Sequence, residues 1–413
     1  KREFQAKLLQ ALTRGLDDIA HVEPWTTSFN PGTTTLGRLL ELAHEVDFAA
    51  FAFAVHLTLF AFSATALAGP QSDSFSGATD LGILKTRAEP QADGSYAITG
   101  TKIFISAGEH DLTQNIVHLV LARLPDAPAG TRGISLFVVP KFRPDANGDA
   151  GERNGVVCGS IEHKMGIHAS PTCVMHFNDS IGWLLGKPNE GLACMFTMMN
   201  QARLGVGLQG HGLSELAWQA SIAYANDRLQ GRAMSGVKEP GKAADPIIVH
   251  PDVRRMLLTQ KAFVEGGRVL CFLTGREIDS AHLNPDPQAR QASNDLIAFL
   301  TPIVKGFLTE AAMEVTSLAV QIHGGHGFIR QTGVEQLMRD ARITPIYEGT
   351  NGVQALDLLG RKVFRTGGKS QQMIAARIVD SIKKFSGLPE IAPLAADLGK
   401  RLEQWGRLTA ELG

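Results

Sequence analysis

One acidic residue near the end of this 413-residue chain stands where chemistry could be done. Glu348 follows the apolar run ITPIY (343–347) and precedes Gly349, Thr350 and Asn351, where a fresh helix is expected. Two readings are open on local grounds. In one, Thr350 caps that helix and Glu348 is a solvated acid just before it. In the other, the apolar approach sets the carboxylate at a core edge, where lost hydration raises its pKa toward neutrality, as a general base requires. Arg203 and Arg228, basic residues on otherwise apolar helical segments, are either snorkelling surface side chains or forked partners for an acid or a phosphate. The glycine-rich QIHGGHGF (321–328) is either a helix C-cap with its turn or a place where backbone N–H groups approach a phosphate. His323 and His326 lack the carboxylate–histidine pattern of a metal site, so no metal is expected.

Such groups need elements to hold them, and the texture of the chain changes three times. Residues 1–75 read as a helical domain containing a stretch without charge, Phe48–Gly69. That stretch carries His56, Thr58, Ser63 and Thr65 and lacks positive flanks, so a buried core helix is expected rather than a membrane span. Over 76–182, β-branched runs broken by Asp-Gly, Gly-Thr and Pro predict a compact antiparallel β-domain or barrel. The helical period then returns, predicting helices near 190–229, 251–281, 288–322, 333–342, 350–365 and 370–411. These divide into a bundle over 183–365 and a helical extension over 366–413, an α+β chain overall.

Composition narrows the partners. Forty basic residues against forty-one acidic ones give no field for a nucleic acid or an anionic membrane. Cys158, Cys173, Cys194 and Cys271 are widely spaced with no C-x-x-C pair, which suits free thiols in a reducing, cytoplasmic setting.

Together the segments resemble the acyl-CoA dehydrogenase family of flavoproteins, whose fold has an N-terminal helical domain, a β-barrel domain and a C-terminal bundle. The likeness is carried by QIHGGHGFIRQTGVEQLMRDARITPIYEGTNGVQALDLLGRKV (321–363), YAITGTKIFISAG (96–108), KMGIHASPTCVMHFND (164–179) and NEGLACMFTMMNQARLGVGLQG (189–210). The resemblance implies α,β-dehydrogenation of an acyl-CoA thioester to the trans-2-enoyl-CoA, with FAD taking the hydride and an electron-transfer flavoprotein as acceptor. Glu348, in the Y-E-G-T context, matches the base, and its backbone N–H matches a donor to the thioester carbonyl. Phe104, Ile105 and Ser106 would lie beside the flavin ring, where the family often has Trp and Thr. Gln321, Gly325, Arg228 and Gln230 would meet the FAD pyrophosphate of a neighbouring subunit, which implies a homodimer or a dimer of dimers. Thr350 and Asn351 would contact the FAD bound with Glu348, and Arg203 would orient the base and the CoA region.

Two departures stand out. Where the family has a T-E-P-x-A-G-S-D loop touching flavin and substrate, this chain reads PQSDSFSGATD (70–80), and only Thr79 and Asp80 match. The N-terminal helical region is also some tens of residues shorter than the family's. The segment GRAMSGVKEPGKAADPIIVHPDVRRMLLTQKAF (231–263) and the extension beyond Lys362 resemble the larger members, with 3-methylmercaptopropionyl-CoA as the implied substrate. A broad short- or medium-chain dehydrogenase and an acyl-CoA oxidase are the alternatives.

Overall fold

The computed structural model describes residues 84–389 and 392–412. The expected N-terminal helical domain, the uncharged segment and the matched pair Thr79 and Asp80 lie outside the described residues. The chain divides into two compact units, 1–202 and 203–413.

The first unit is a sheet built on one long strand. Eight strands are described: β1 (Arg87–Pro90), β2 (Tyr96–Ser106), β3 (Val117–Ala122), β4 (Ser135–Pro140), β5 (Phe142–Pro144), β6 (Ala150–Arg153), β7 (Val156–Ile161) and β8 (Thr172–Leu185). All ladders are antiparallel and run β1-β2-β8-β4-β3, with β7 also on β8 and β5-β6 a separate pair. Inward residues Ile98, Ile105, Val120, Phe137, Val139, Met175 and Phe177 make one core, as alternation along half-buried strands requires. An antiparallel β-domain or barrel was expected; the described ladders form an antiparallel sheet that ladder pairing alone does not close. Its edges meet only where Arg87 bridges Arg123. Two backbone bonds of 2.9 Å, Ala88 N–H to Arg123 O and Arg123 N–H to Thr86 O, make that contact. The four-residue β1 and the end of β3 are too short to lengthen it into a ladder.

The second unit is helical. The helix α1 (Gly191–Asp227) contains the divide; α2 (Pro251–Leu283) and α3 (Pro287–His323) pack beside its later part, followed by α4 (Val334–Ala341) and α5 (Asn351–Leu356). These bounds match the periodic reading closely. Asp286 caps α3, its side chain accepting the Gln288 N–H at 2.9 Å, and Gly324 ends it at φ +58°. Two glycines let α1 and α3 approach: a Cβ on Gly207 would lie 2.6 Å from Val304 Cγ1, and one on Gly210 would lie 2.9 Å from Leu308 O. That close crossing brings Arg203, one turn before Gly207, toward Lys305, the neighbour of Val304.

Two predicted helices differ. The helix expected over 350–365 is α-helical only to Leu356, then widens into π-type turns over Asp357–Val363 and ends in a single tight turn. The helix expected over 370–411 is two, α6 (Lys369–Phe385) and α7 (Ala392–Leu412). Gly387 and Pro389 lie between them, and proline cannot continue a helix. By length and hydropathy α3 alone among the described helices could cross a membrane, and 61% of its apolar window is buried in the protein, the state of a core helix.

Candidate active site

The turn joining α4 to α5 carries Glu348. It is held at both ends: Tyr347 N–H bonds Ile343 O at 3.1 Å, and Asn351 N–H bonds Pro345 O at 3.0 Å. Thr350 caps α5, its hydroxyl accepting the Val353 N–H at 3.4 Å, so the local capping reading is correct for Thr350. Glu348 itself is no solvated acid. It sits at φ +54°, followed by Gly349 at φ +88°. A non-glycine residue in this left-handed region costs about 1–2 kcal/mol and is retained where surrounding contacts enforce it. Gln354 supplies such contacts, its Nε2 donating to Glu348 O at 3.3 Å and Gly349 O at 3.2 Å.

Gly349 is needed here on two counts. A Cβ on it would lie 2.7 Å from Gln354 Nε2, and φ is left-handed as well. Gly349→Ala is expected to lower stability by about 1–3 kcal/mol, read as a lower thermal midpoint; an unchanged midpoint would show the turn to be adaptable.

Charge around the glutamate is arranged asymmetrically. Burial raises the Glu348 carboxyl to about 7, against the pull of Arg203 and then Lys305. Its carboxylate takes no hydrogen bond, and its backbone N–H finds no acceptor, among the described residues. Arg203 is 5% exposed and lies 3.5 Å, through Nη1, from Asp357 Oδ2, while Arg361 meets Oδ1 of the same carboxylate at 3.4 Å. Burial lowers the Arg203 pKa, opposed first by Asp357 and then by Glu348. Lys305, on α3, is fully buried and donates to Asn351 Oδ1 at 2.8 Å. Burial and then Arg203 bring its ammonium down to about 8, while Glu348 and Glu310 oppose. Tyr347, beside Glu348, points its hydroxyl at Gln209 of α1.

Two buried atoms here lack partners among the described residues: Arg203 Nε and Gln354 Oε1. With the open N–H of Glu348, they make a site whose polar groups are incomplete without a ligand. Asn351 is different. Its amide bonds Lys305, Thr309 and Glu310, so the side chain is committed to α3.

A second group forms at the other end of α1. Arg228 and Gln230 are exposed just past the helix, and Gln321 and Gly325 are exposed at the end of α3. Tyr224 ties these ends together: its ring stacks on His323 at 4.3 Å, and its hydroxyl lies 3.2 Å from His326 Nδ1. Gly325 has open space where a Cβ would be, room for a backbone-phosphate approach, whereas a Cβ on Gly327 would strike Val320 O at 2.4 Å. Arg203 and Arg228 are twenty-five residues apart, Arg228 following directly on the last residue of α1, a span of about 37 Å at 1.5 Å per residue. One cofactor molecule cannot touch both within one chain.

The third group lies in the first unit. Phe104 is 67% exposed at φ +60°, within an irregularity of the β2–β8 ladder between Lys102 and Ile105. A strained, exposed aromatic at a bulge is a presented surface rather than a core element. Ser106 is half-buried, while the Ile105 side chain is fully buried in the sheet core and offers only backbone outward.

Sequence reasoning missed Lys305, Gln354 and Asp357. Lys305 carried a signal, a lone charge in the apolar run LTPIVKGF (300–307). Gln354 and Asp357 carried none, since their roles follow from where α5 and the π-type turns point.

Residues 72–180 match the family described as acyl-CoA dehydrogenase, middle domain, and residues 189–363 match acyl-CoA dehydrogenase, C-terminal domain. The chain belongs to the acyl-CoA dehydrogenase family. The family read from the motifs therefore stands, and so does the branch. Over 312 residues this chain is 54% identical to 3-methylmercaptopropionyl-CoA dehydrogenase of Ruegeria pomeroyi, covering 76% of this chain and 52% of that enzyme. It is 38% identical over 344 residues to the broad-specificity linear acyl-CoA dehydrogenase FadE5 of Mycobacterium tuberculosis, covering 81% and 56%. The solved structure of Caenorhabditis elegans ACDH-11 in complex with C11-CoA shares the fold, with a TM-score of 0.69 at 22% identity, covering 82% of this chain and 54% of that one. The chain spans about half the length of the curated relatives it matches.

Proposed function

We propose that the protein carries out α,β-dehydrogenation of an acyl-CoA thioester, with Glu348 as the base that removes the α-proton. The observation that carries this is a half-buried carboxylate with a proton affinity near neutrality, free of hydrogen bonds among the described residues, on a strained turn beside two buried cations. An α-proton beside a thioester is weakly acidic, so its removal needs a base of raised pKa and donors on the carbonyl oxygen where negative charge develops. The unpaired N–H of Glu348 is such a donor, carried by the same residue as the base. Arg203 stabilises the ionised form of Glu348, and Gln354 holds the peptide that orients it.

The implied cofactor is FAD, which when bound accepts the hydride that leaves the β-carbon. Phe104 and Ser106 suit its ring, and Thr350 suits it better than Asn351, whose amide is already committed. Arg228, Gln230, Gln321 and Gly325 suit a pyrophosphate held by another subunit, because the length of α1 separates them from Glu348. A homodimer or dimer of dimers, an electron-transfer flavoprotein as acceptor and a cytoplasmic setting follow from this reading. The substrate we assign, 3-methylmercaptopropionyl-CoA, rests on the Ruegeria pomeroyi relative.

The test is anaerobic bleaching of the flavin by a panel of acyl-CoA thioesters of rising chain length, with and without a chain sulfur. The sulfur-containing short thioester should bleach fastest. An even response across linear chains would point to a broad dehydrogenase, and rapid peroxide formation in air to an oxidase; no bleaching by any thioester would end the proposal. The rate should also depend on pH with a definite sign. Glu348 accepts a proton only as the carboxylate, so bleaching should rise with pH and reach half its plateau near 7. A rate flat from about pH 5 to 9 would remove Glu348 from the proton transfer.

A further inference from the structure

A lysine with no polar surface left in water is unusual, and Lys305 is fully buried in the middle of α3. Its ammonium donates to Asn351 Oδ1 at 2.8 Å, and the other end of that amide is taken by Thr309 Oγ1 at 3.0 Å and Glu310 Oε1 at 2.9 Å. Asn351 in turn closes the turn of the base, its backbone N–H bonding Pro345 O at 3.0 Å. The chain of contacts therefore runs from α3 through one side chain to the ends of a six-peptide loop whose middle residue, Glu348, is held at φ +54°. Plain anchoring does not require a cation, because a neutral donor would satisfy Asn351 equally and cost less to bury.

We propose that Lys305 is a positioning residue for the reaction: through Asn351 it fixes the left-handed turn that carries Glu348, and it supplies one of the two buried positive charges that favour the ionised form of that carboxylate. The inference rests on the reading of Glu348 as the base. Other charged or titratable groups surround it: Arg203 from α1, with Asp357 and Arg361 from the π-type turns pairing it, Glu310 from α3 and the neutral Tyr347 hydroxyl on the turn itself. Of these, Arg203 is shared with Asp357, whereas among the described residues Lys305 meets only the neutral oxygen of Asn351 as a hydrogen-bond partner. Lys305 is therefore the cation less offset by a direct partner, and the carboxylate nearest in function to it is Glu348.

Three variants separate the two roles. Lys305→Arg keeps the charge, Lys305→Gln keeps a donor for Asn351 without the charge, and Lys305→Met removes both. Two readouts apply to the flavin-loaded protein: the pH profile of bleaching by acyl-CoA, and the titration of Glu348 followed by carbon NMR of labelled glutamate, assigned with Glu348→Gln. Lys305→Gln should move the bleaching limb and the Glu348 titration upward together by about one pH unit. Its rate near pH 7 should fall several-fold and recover in alkali, with KM little changed. Lys305→Met should lose rate at every pH, because the turn is released as well, and Lys305→Arg should restore the wild-type limb. Wild-type limb and titration in Lys305→Gln would overturn the charge role, and full alkaline recovery in Lys305→Met would overturn the anchoring role. If Lys305→Met fails to fold, wild-type pH behaviour in Lys305→Gln or a shifted limb in Lys305→Arg still decides against the proposal. A wild-type protein that no thioester bleaches, yet whose Glu348 titration shifts in Lys305→Gln, would sink the proposed function and leave this inference intact.

Discussion

Glu348→Gln is expected to keep flavin and acyl-CoA binding while slowing flavin bleaching by on the order of 10³-fold or more, because the group that receives the proton in the transition state is gone. Gln preserves the volume and the backbone turn, so the loss should appear in the rate of bleaching and not in KM. The same variant has a second, independent signature in stability. The folded carboxyl titrates near 7 and the unfolded one near 4.5. Its contribution is fully present below pH 4.5 and is lost as pH rises through 7, since ionising the buried group favours unfolding. Gln has no proton to lose. Glu348→Gln should therefore match wild-type stability at about pH 4 and exceed it at about pH 8 by up to about 3 kcal/mol, since each pH unit between the folded and unfolded titrations is worth about 1.36 kcal/mol. Thermal melts across that range measure it. Equal pH dependence in both proteins would place Glu348 in water and remove the basis for its role, as would a variant that bleaches at the wild-type rate.

The next largest effect belongs to Arg203. Arg203→Met leaves Asp357 buried with only Arg361, whose side chain is 54% exposed and screened by water. Removing one partner of a buried pair costs about 3–5 kcal/mol, and the remaining Arg361 contact reduces this to about 2–4 kcal/mol. A fall in thermal midpoint of roughly 5–15 °C follows for a unit of this size. The loss of positive charge should also raise the pKa of Glu348 and shift the bleaching limb upward. Arg203→Lys keeps that limb but not the fork that addresses Asp357, so it should show the stability loss without the full pH shift. A midpoint unchanged in Arg203→Met would show that water or Arg361 already satisfies Asp357.

Much of this was legible in the residues alone. The helices α1 to α4 follow from a sustained 3.6-residue period, and the strands from β-branched runs with turn residues between them. Closure of the sheet was not legible, because it depends on whether β1 and β3 reach each other, a matter of register and twist that alternation does not encode. Nor was the widening after Leu356, since an apolar period drifts little between an α-turn and a π-type turn, and the change becomes visible only where Asp357 meets Arg203. The break at Gly387 and Pro389 was written in the sequence but was overridden by the apolar period on both sides.

The sequence by itself determined that Glu348 and Arg203 are charges set in apolar surroundings, that Thr350 begins a helix, and that the motifs belong to one enzyme family. Only the tertiary structure decided that Asn351 spends its amide on α3, that Ile105 turns inward, and that Lys305 and Gln354 brace the turn that carries Glu348. The physical reason is range: capping and periodicity act within a few residues, whereas the proton affinity of Glu348 is set by burial and by two cations 145 and 43 residues away along the chain.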